Sequence, residues 1–139
     1  MARGGERPRW AIVYYKTRDG SVPTADFLDG CPPTVDAKFA AVLNAVAEAP
    51  PPQFSGGGYW EAMHGDMGGY YEIRLTGPKR EQFRLFCVLD RSGPGLAGPA
   101  LAVICGMRKP FRTVFSDQDY RGVRDLGADY LATAPRRIA

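Results

Sequence analysis

The apolar positions of this chain change period several times, and each period predicts an element. The stretch "WAIVYYKT" from Trp10 is dense in β-branched and aromatic residues and stops at "RDGS", which predicts a strand and a turn. After the short segment "TADFLDG", "TVDAKFAAVLNAVAEA" sets Val35, Phe39, Val42, Leu43 and Val46 on one face at helical spacing. Thr34 is the expected N-cap of that helix, Asp36 favours its positive first turn, and Pro50 to Pro52 end it. The period then drops to two. "YYEIRLT" alternates Tyr71, Ile73 and Leu75 against Glu72, Arg74 and Thr76. "QFRLFCVLD" alternates Phe83, Leu85, Cys87 and Leu89 against Gln82, Arg84, Phe86 and Val88. "TGPKRE" between them carries hairpin residues, and beyond "RSGPGLAGP" the run "ALAVICGMR" reads as a third, almost wholly apolar strand. Last, "SDQDYRGVRDLGADYLATA" repeats Tyr120, Val123, Leu126 and Tyr130 at helical spacing behind Ser116 and Asp119, a capping-box pair.

This order predicts an α+β fold: a small, twisted, antiparallel-rich sheet, with the N-terminal helices and the C-terminal helix packed on one face and the other face partly open. If the three later strands form a meander, Arg74, Arg84, Arg108 and Lys109 gather on one concave surface.

The length of 139 residues fits a single domain, 1–139, with residues 1–9 and 132–139 expected as flexible tails. At 45% hydrophobic and 24% charged residues the composition is that of an ordinary globular chain. No apolar run approaches the roughly 20 residues of a membrane helix, and the N-terminus lacks a secretory pattern, so a cytoplasmic protein without membrane partners is expected. Cys31, Cys87 and Cys105 contain no CxxC pair, which argues against a disulfide framework and a zinc ribbon; no metal or other cofactor is expected. The Gly-rich stretches fit neither GxxxxGK[ST] nor GxGxxG, and HExxH and GxSxG are missing, which removes the common nucleotide loops, hydrolase triads and zinc proteases.

Charge changes this picture, because it is unevenly spread. Residues 1–73 hold 6 Lys/Arg against 9 Asp/Glu, residues 74–112 hold 8 against 2, and residues 113–139 hold 4 against 4. A local basic segment is the footprint of a phosphate-bearing partner. Arginine grips phosphate oxygens through a planar fork and lysine adds a compact charge. RNA brings its own nucleophile, so a protein that orients the strand, moves two protons and stabilises charge on the phosphate oxygens can cleave it. Tyr70, Phe86, Phe111 and Phe115 are the aromatic rings available to stack a base. His64, in "MHGDMGG", is the one histidine available for proton transfer.

Over residues 10–131 the order "WAIVYYKTRDGSVPTADFLDG", a helix, "WEAMHGDMGGYYEIRL", "FRLFCVLD", "LAVICGMRKPFRT" and a closing helix resembles the HigB-like, phage-derived branch of the RelE toxin superfamily. "YEIR" matches the family strand that carries Arg74, "FRLF" the one that carries Arg84, and "GMRKPFR" the segment that carries Arg108 and Lys109. The resemblance implies a RelE-like fold and the toxin component of a type II toxin–antitoxin system. Its activity would be that of a metal-independent mRNA endoribonuclease cutting ribosome-bound mRNA by 2′-OH attack. Its partner would be a helix-turn-helix antitoxin of HigA-like type. Arg84 and Arg74 would stabilise phosphate charge, Arg108 and Lys109 would position the strand, Arg112, Lys79, Arg80 and Phe111 would bind RNA, and His64 would be a candidate acid or base. Many members of that branch have a histidine where this chain has Cys105, and several RelE relatives place a tyrosine where Phe115 stands. Those two departures favour the alternative of a catalytically inactive RelE-fold module that binds nucleic acid or protein.

Overall fold

The computed structural model describes residues 9–50 and 58–139. In chain order the elements are β1 (Ala11–Tyr14), α1 (Pro23–Asp29), α2 (Pro33–Glu48), β2 (Trp60–Ala62), β3 (Tyr70–Thr76), β4 (Gln82–Asp90), β5 (Ala100–Lys109) and α3 (Asp117–Ala132). The strands form one five-stranded sheet in the order β1-β5-β4-β3-β2. β2 to β5 are an antiparallel meander and β1 lies parallel to β5, so the fold is α+β with a mixed sheet. The sequence reading anticipates the meander but misses β2, which has only three residues to carry a pattern. Among the described residues no helix is long and apolar enough to cross a membrane.

Helices cover both faces of the sheet, which corrects the expectation of one covered face. Val35, Phe39, Leu43 and Val46 of α2 pack with Ile73, Leu75, Phe83, Leu85, Cys87, Leu101 and Val103. Val123 and Tyr130 of α3 pack with Tyr70, Phe86, Val88, Ala102 and Ile104 on the reverse side. The reason lies in β4 and β5, whose apolar residues point both ways; a strand apolar on both faces needs cover on both. Each large side chain so buried contributes about 1.5–3 kcal/mol. Close helix–sheet approaches depend on glycine: a Cβ at Gly106 would collide with the Phe27 ring of α1, and one at Gly127 of α3 with Tyr70.

The helix starts follow local chemistry. Ser116 and Asp119 form the expected capping box on α3, with bonds of 3.1 and 2.8 Å. Thr34 does not cap α2, which begins one residue earlier at Pro33, where proline's fixed φ suits the first helical position.

Residues 132–139, expected as a flexible tail, instead fold back along β1. Lys16 donates to the Arg137 carbonyl at 3.1 Å and Ala139 to that of Tyr14 at 2.9 Å. Two neighbouring arginines hold the strap. Arg136 donates to the buried Asp90 at 2.9 Å, where the Tyr130 hydroxyl also donates at 2.7 Å. Arg137 pairs with Asp129, which accepts from the Tyr15 hydroxyl at 2.6 Å. The 92–99 loop meets the same strap through the Arg136 amide and the Pro94 carbonyl, 3.0 Å apart. Of the expected N-terminal tail, residues 1–8 lie outside the described residues, while Arg9 bonds to Glu48 and Asn44. Pro51 and Pro52, expected with Pro50 to end α2, also lie outside them.

Candidate nucleic-acid interface

Where α3 leaves the sheet uncovered, the polar residues of β3 and β4 come together. Arg74 and Arg84 are cross-strand partners, and Glu72 lies next along the same face, opposite Phe86. Arg84 is half-buried. Its guanidinium donates to Gln82 Oε1 at 3.0 Å and to the Phe83 carbonyl at 3.1 Å, and lies 5.2 Å from the Phe115 ring centroid. Arg74 pairs with Glu61 on β2 at 3.0 Å and stands 3.9 Å from Glu72. The Glu72 side chain is only 14% exposed. Burial raises its pKa, and the attraction of Arg84 and Arg74 offsets this only in part. Burial likewise lowers the pKa of Arg84 despite the pull of Glu72. Both shifts run toward the neutral forms, so removal from water outweighs their mutual attraction. Tyr120, on the first turn of α3, has its pKa raised by burial and then by Glu72. Its ring lies 6.4 Å from that of Phe115 and 6.1 Å from that of Phe86. A carboxyl that holds its proton more tightly, a protonated phenol and two guanidiniums on one face are equipment for moving protons beside an anion.

The surface continues as a groove of about 550 Å³ lined by Arg74, Thr76, Arg80, Gln82, Arg84, Phe111 and Arg112. Arg80 comes from the β3–β4 connection, and Arg112 and Phe111 from the turn after β5. Gln82 joins the two ends of the groove, accepting from Arg84 and donating to the Thr113 carbonyl at 2.7 Å. Lys79 lies exposed at the tip of the β3–β4 connection beside Arg80.

Compared with known proteins, the chain matches no family model, no curated protein and no solved structure.

The geometry brings together Arg74, Arg84, Arg80, Arg112 and Phe111, but separates others from them. Arg108 lies on the opposite face. It pairs with Glu81 at 2.6 Å, donates to the Gly30 carbonyl at 2.7 Å and stacks on Phe83 at 4.9 Å. The cause is a bulge. Phe86 pairs with Cys105 but Cys87 with Val103, so Ile104 is an extra residue that reverses the alternation of β5 beyond it. In a strand as uniformly apolar as "ALAVICGMR" no polar alternation signals that reversal. Lys109 returns to the α3 side and pairs with Asp119 at 3.3 Å. His64 lies outside the basic groove, in a second one with Asp66, Tyr120, Arg121 and Arg124. Of the four candidate stacking rings, Phe86 and Tyr70 are buried in the core, Phe115 lies against Arg84, and Phe111 is exposed but lies against Arg80 and Arg112. Cys105 is buried and its thiol is pushed up to about 12 by burial, so it presents no reactive thiolate at neutral pH. Among the described residues no three His, Cys, Asp or Glu side chains are placed to share a cation.

Glu72 and Tyr120 are absent from the site expected from sequence. Glu72 was legible as the polar neighbour of Arg74 on one strand face; Tyr120 reads there only as an apolar helix position.

Proposed function

We propose that this protein is a RelE-like, HigB-type toxin: an endoribonuclease that cuts mRNA on the ribosome by attack of the ribose 2′-OH on the adjacent phosphate, and that a helix-turn-helix antitoxin restrains. The observation that carries the reading is that Glu72, Arg74 and Arg84 share one face of β3 and β4 and that Tyr120 of α3 feels the charge of all three. In the proposed reaction Glu72 takes the proton from the 2′-OH as its oxygen bonds to phosphorus. Arg84 and Arg74 stabilise the charge on the non-bridging oxygens. The bond to the 5′ oxygen breaks, and Tyr120 donates the proton that oxygen acquires. The products are a 2′,3′-cyclic phosphate and a 5′-hydroxyl end; no oxidant or second substrate is consumed. Tyr120, whose ring lies 6.4 Å from that of Phe115, supplies the hydroxyl that Phe115 lacks and takes the role expected of His64.

One observation favours a second reading, a module that binds nucleic acid without cutting it: Arg74 is already paired with Glu61. The test is induction of the gene in a sensitive host with mapping of mRNA 5′ ends. We expect growth arrest and new ends at set codon positions, and purified protein that still cuts ribosome-bound mRNA in EDTA. Normal growth without new ends supports the second reading, and cleavage that EDTA abolishes and magnesium restores rejects the mechanism.

A further inference from the structure

The ring of Phe111 carries two guanidiniums. The central carbons of Arg80 and Arg112 each lie 5.1 Å from its centroid, although the two arginines come from different loops. Arg74, Arg108, Lys109, Arg136 and Arg137 all have carboxylate partners; Arg80 and Arg112 have none among the described residues. Backbone geometry marks the same place. The non-glycine residues with positive φ among those described are Lys79 at 58°, Arg80 at 60° and Arg112 at 66°. Left-handed backbone at side-chain-bearing residues is unfavourable and persists where the surroundings dictate it, commonly at binding sites. Here it holds two uncompensated cations against one exposed ring, at the mouth of the groove that contains Arg74 and Arg84.

We infer that Arg80, Phe111 and Arg112 form a second phosphate site, so that the substrate is a single RNA strand presenting at least two successive phosphates, one to Arg74 and Arg84 and the next to this pair. The inference rests on the ribonuclease reading only for the identity of the first phosphate. With two guanidiniums already against it, Phe111 acts as a positioning residue for them rather than as a platform for a base. Stacking restricts both side chains before the ligand arrives, which reduces the ordering cost of binding. Two planar forks suit a phosphate that accepts several charge-assisted bonds. Gln82, bonded both to Arg84 and to the loop carrying Arg112, fixes the spacing of the two sites.

The test is fluorescence anisotropy with uncleavable 2′-O-methyl RNA, a dinucleotide and a hexanucleotide, across a salt series. The variants are the double Arg80→Asn/Arg112→Asn and the single Phe111→Leu; asparagine tolerates left-handed backbone, and melting curves verify folding. The double variant should bind the hexanucleotide roughly tenfold or more weakly, and its log–log salt slope should fall by about 0.7 for the phosphate released. Its affinity for the dinucleotide should match wild type. Phe111→Leu should weaken hexanucleotide binding while keeping the slope, since the charges remain but lose their platform. Wild-type affinity and slope in the double variant overturn the site, as does a wild type that binds neither oligonucleotide. Displacement of the hexanucleotide by hexaglutamate at equal ionic strength assigns the pair to an acidic peptide and also overturns it. Cleavage of ribosome-bound mRNA is assayed alongside. The expected binding pattern without cleavage removes the ribonuclease reading and leaves the phosphate site standing.

Discussion

At Glu72 burial favours the neutral acid while Arg84 and Arg74 favour the carboxylate, and burial prevails. A base so placed binds its proton more tightly than an exposed glutamate, whose pKa is about 4.3, and works only once it has lost it. Activity should therefore fall as pH drops through the raised pKa of Glu72, placing the acid limb of kcat/KM above the range of an ordinary glutamate. Glu72→Gln should lower the rate by about 10²–10⁴-fold and abolish that limb. An unchanged rate and profile in the variant would remove Glu72 from the chemistry. At this scale the sequence was informative about residue types and less so about partners. Arg74 and Arg84 stand out as cations alternating with apolar neighbours, but nothing in the one-dimensional pattern brings Tyr120 within reach of the charge on Glu72, because that pairing joins a strand to a helix more than forty residues later.

Among the elements, those with a clear period were legible: α2, α3, β3 and β4 lie close to where their apolar spacing puts them. The bulge of β5 was hidden by uniform apolarity, and it removes Arg108 from the groove. The C-terminal strap was hidden because it is held by individual backbone hydrogen bonds and side-chain pairs rather than by any periodicity. Asp90 shows how it is held: burial raises its carboxyl, but the bonds from Arg136 and Tyr130 outweigh this and hold its pKa below the ordinary value. Arg136→Ala strands a buried carboxylate and should cost about 3–5 kcal/mol at neutral pH. The sign of its pH dependence follows. A depressed carboxyl pKa gives stability that is present above the unfolded value of about 3.9 and is lost as pH falls through the folded one. The gap in Tm between wild type and variant should therefore narrow below about pH 4. Thermal melts from pH 7 to pH 3 measure it; a gap that widens toward acid would show that the Asp90–Arg136 pair is not what the variant removes.

For the molecule as a whole, the division of labour follows the sheet. Its apolar majority is covered by α1 and α2 on one face and by α3 on the other, while the ends of β3 and β4 stay open and carry the groove. Six of the eight cations of residues 74–112 thereby fall into three groups: Arg74, Arg80, Arg84 and Arg112 in the groove, Arg108 clamped to Glu81 behind it, and Lys109 tied to α3; Lys79 stands exposed at the tip of the β3–β4 connection and Arg91 lies over Trp10. The claim that the groove does chemistry on a phosphate depends most on Arg84, which is half-buried on the groove face and has no carboxylate among the described residues within ion-pair distance. The decisive measurement is cleavage of ribosome-bound mRNA by Arg84→Ala, with its melting curve recorded beside it. We expect a Tm close to wild type and a rate reduced by about 10²–10³-fold, with only partial rescue by Arg84→Lys because a point charge does not reproduce the planar fork. A folded Arg84→Ala protein that cuts at the wild-type rate would contradict the account.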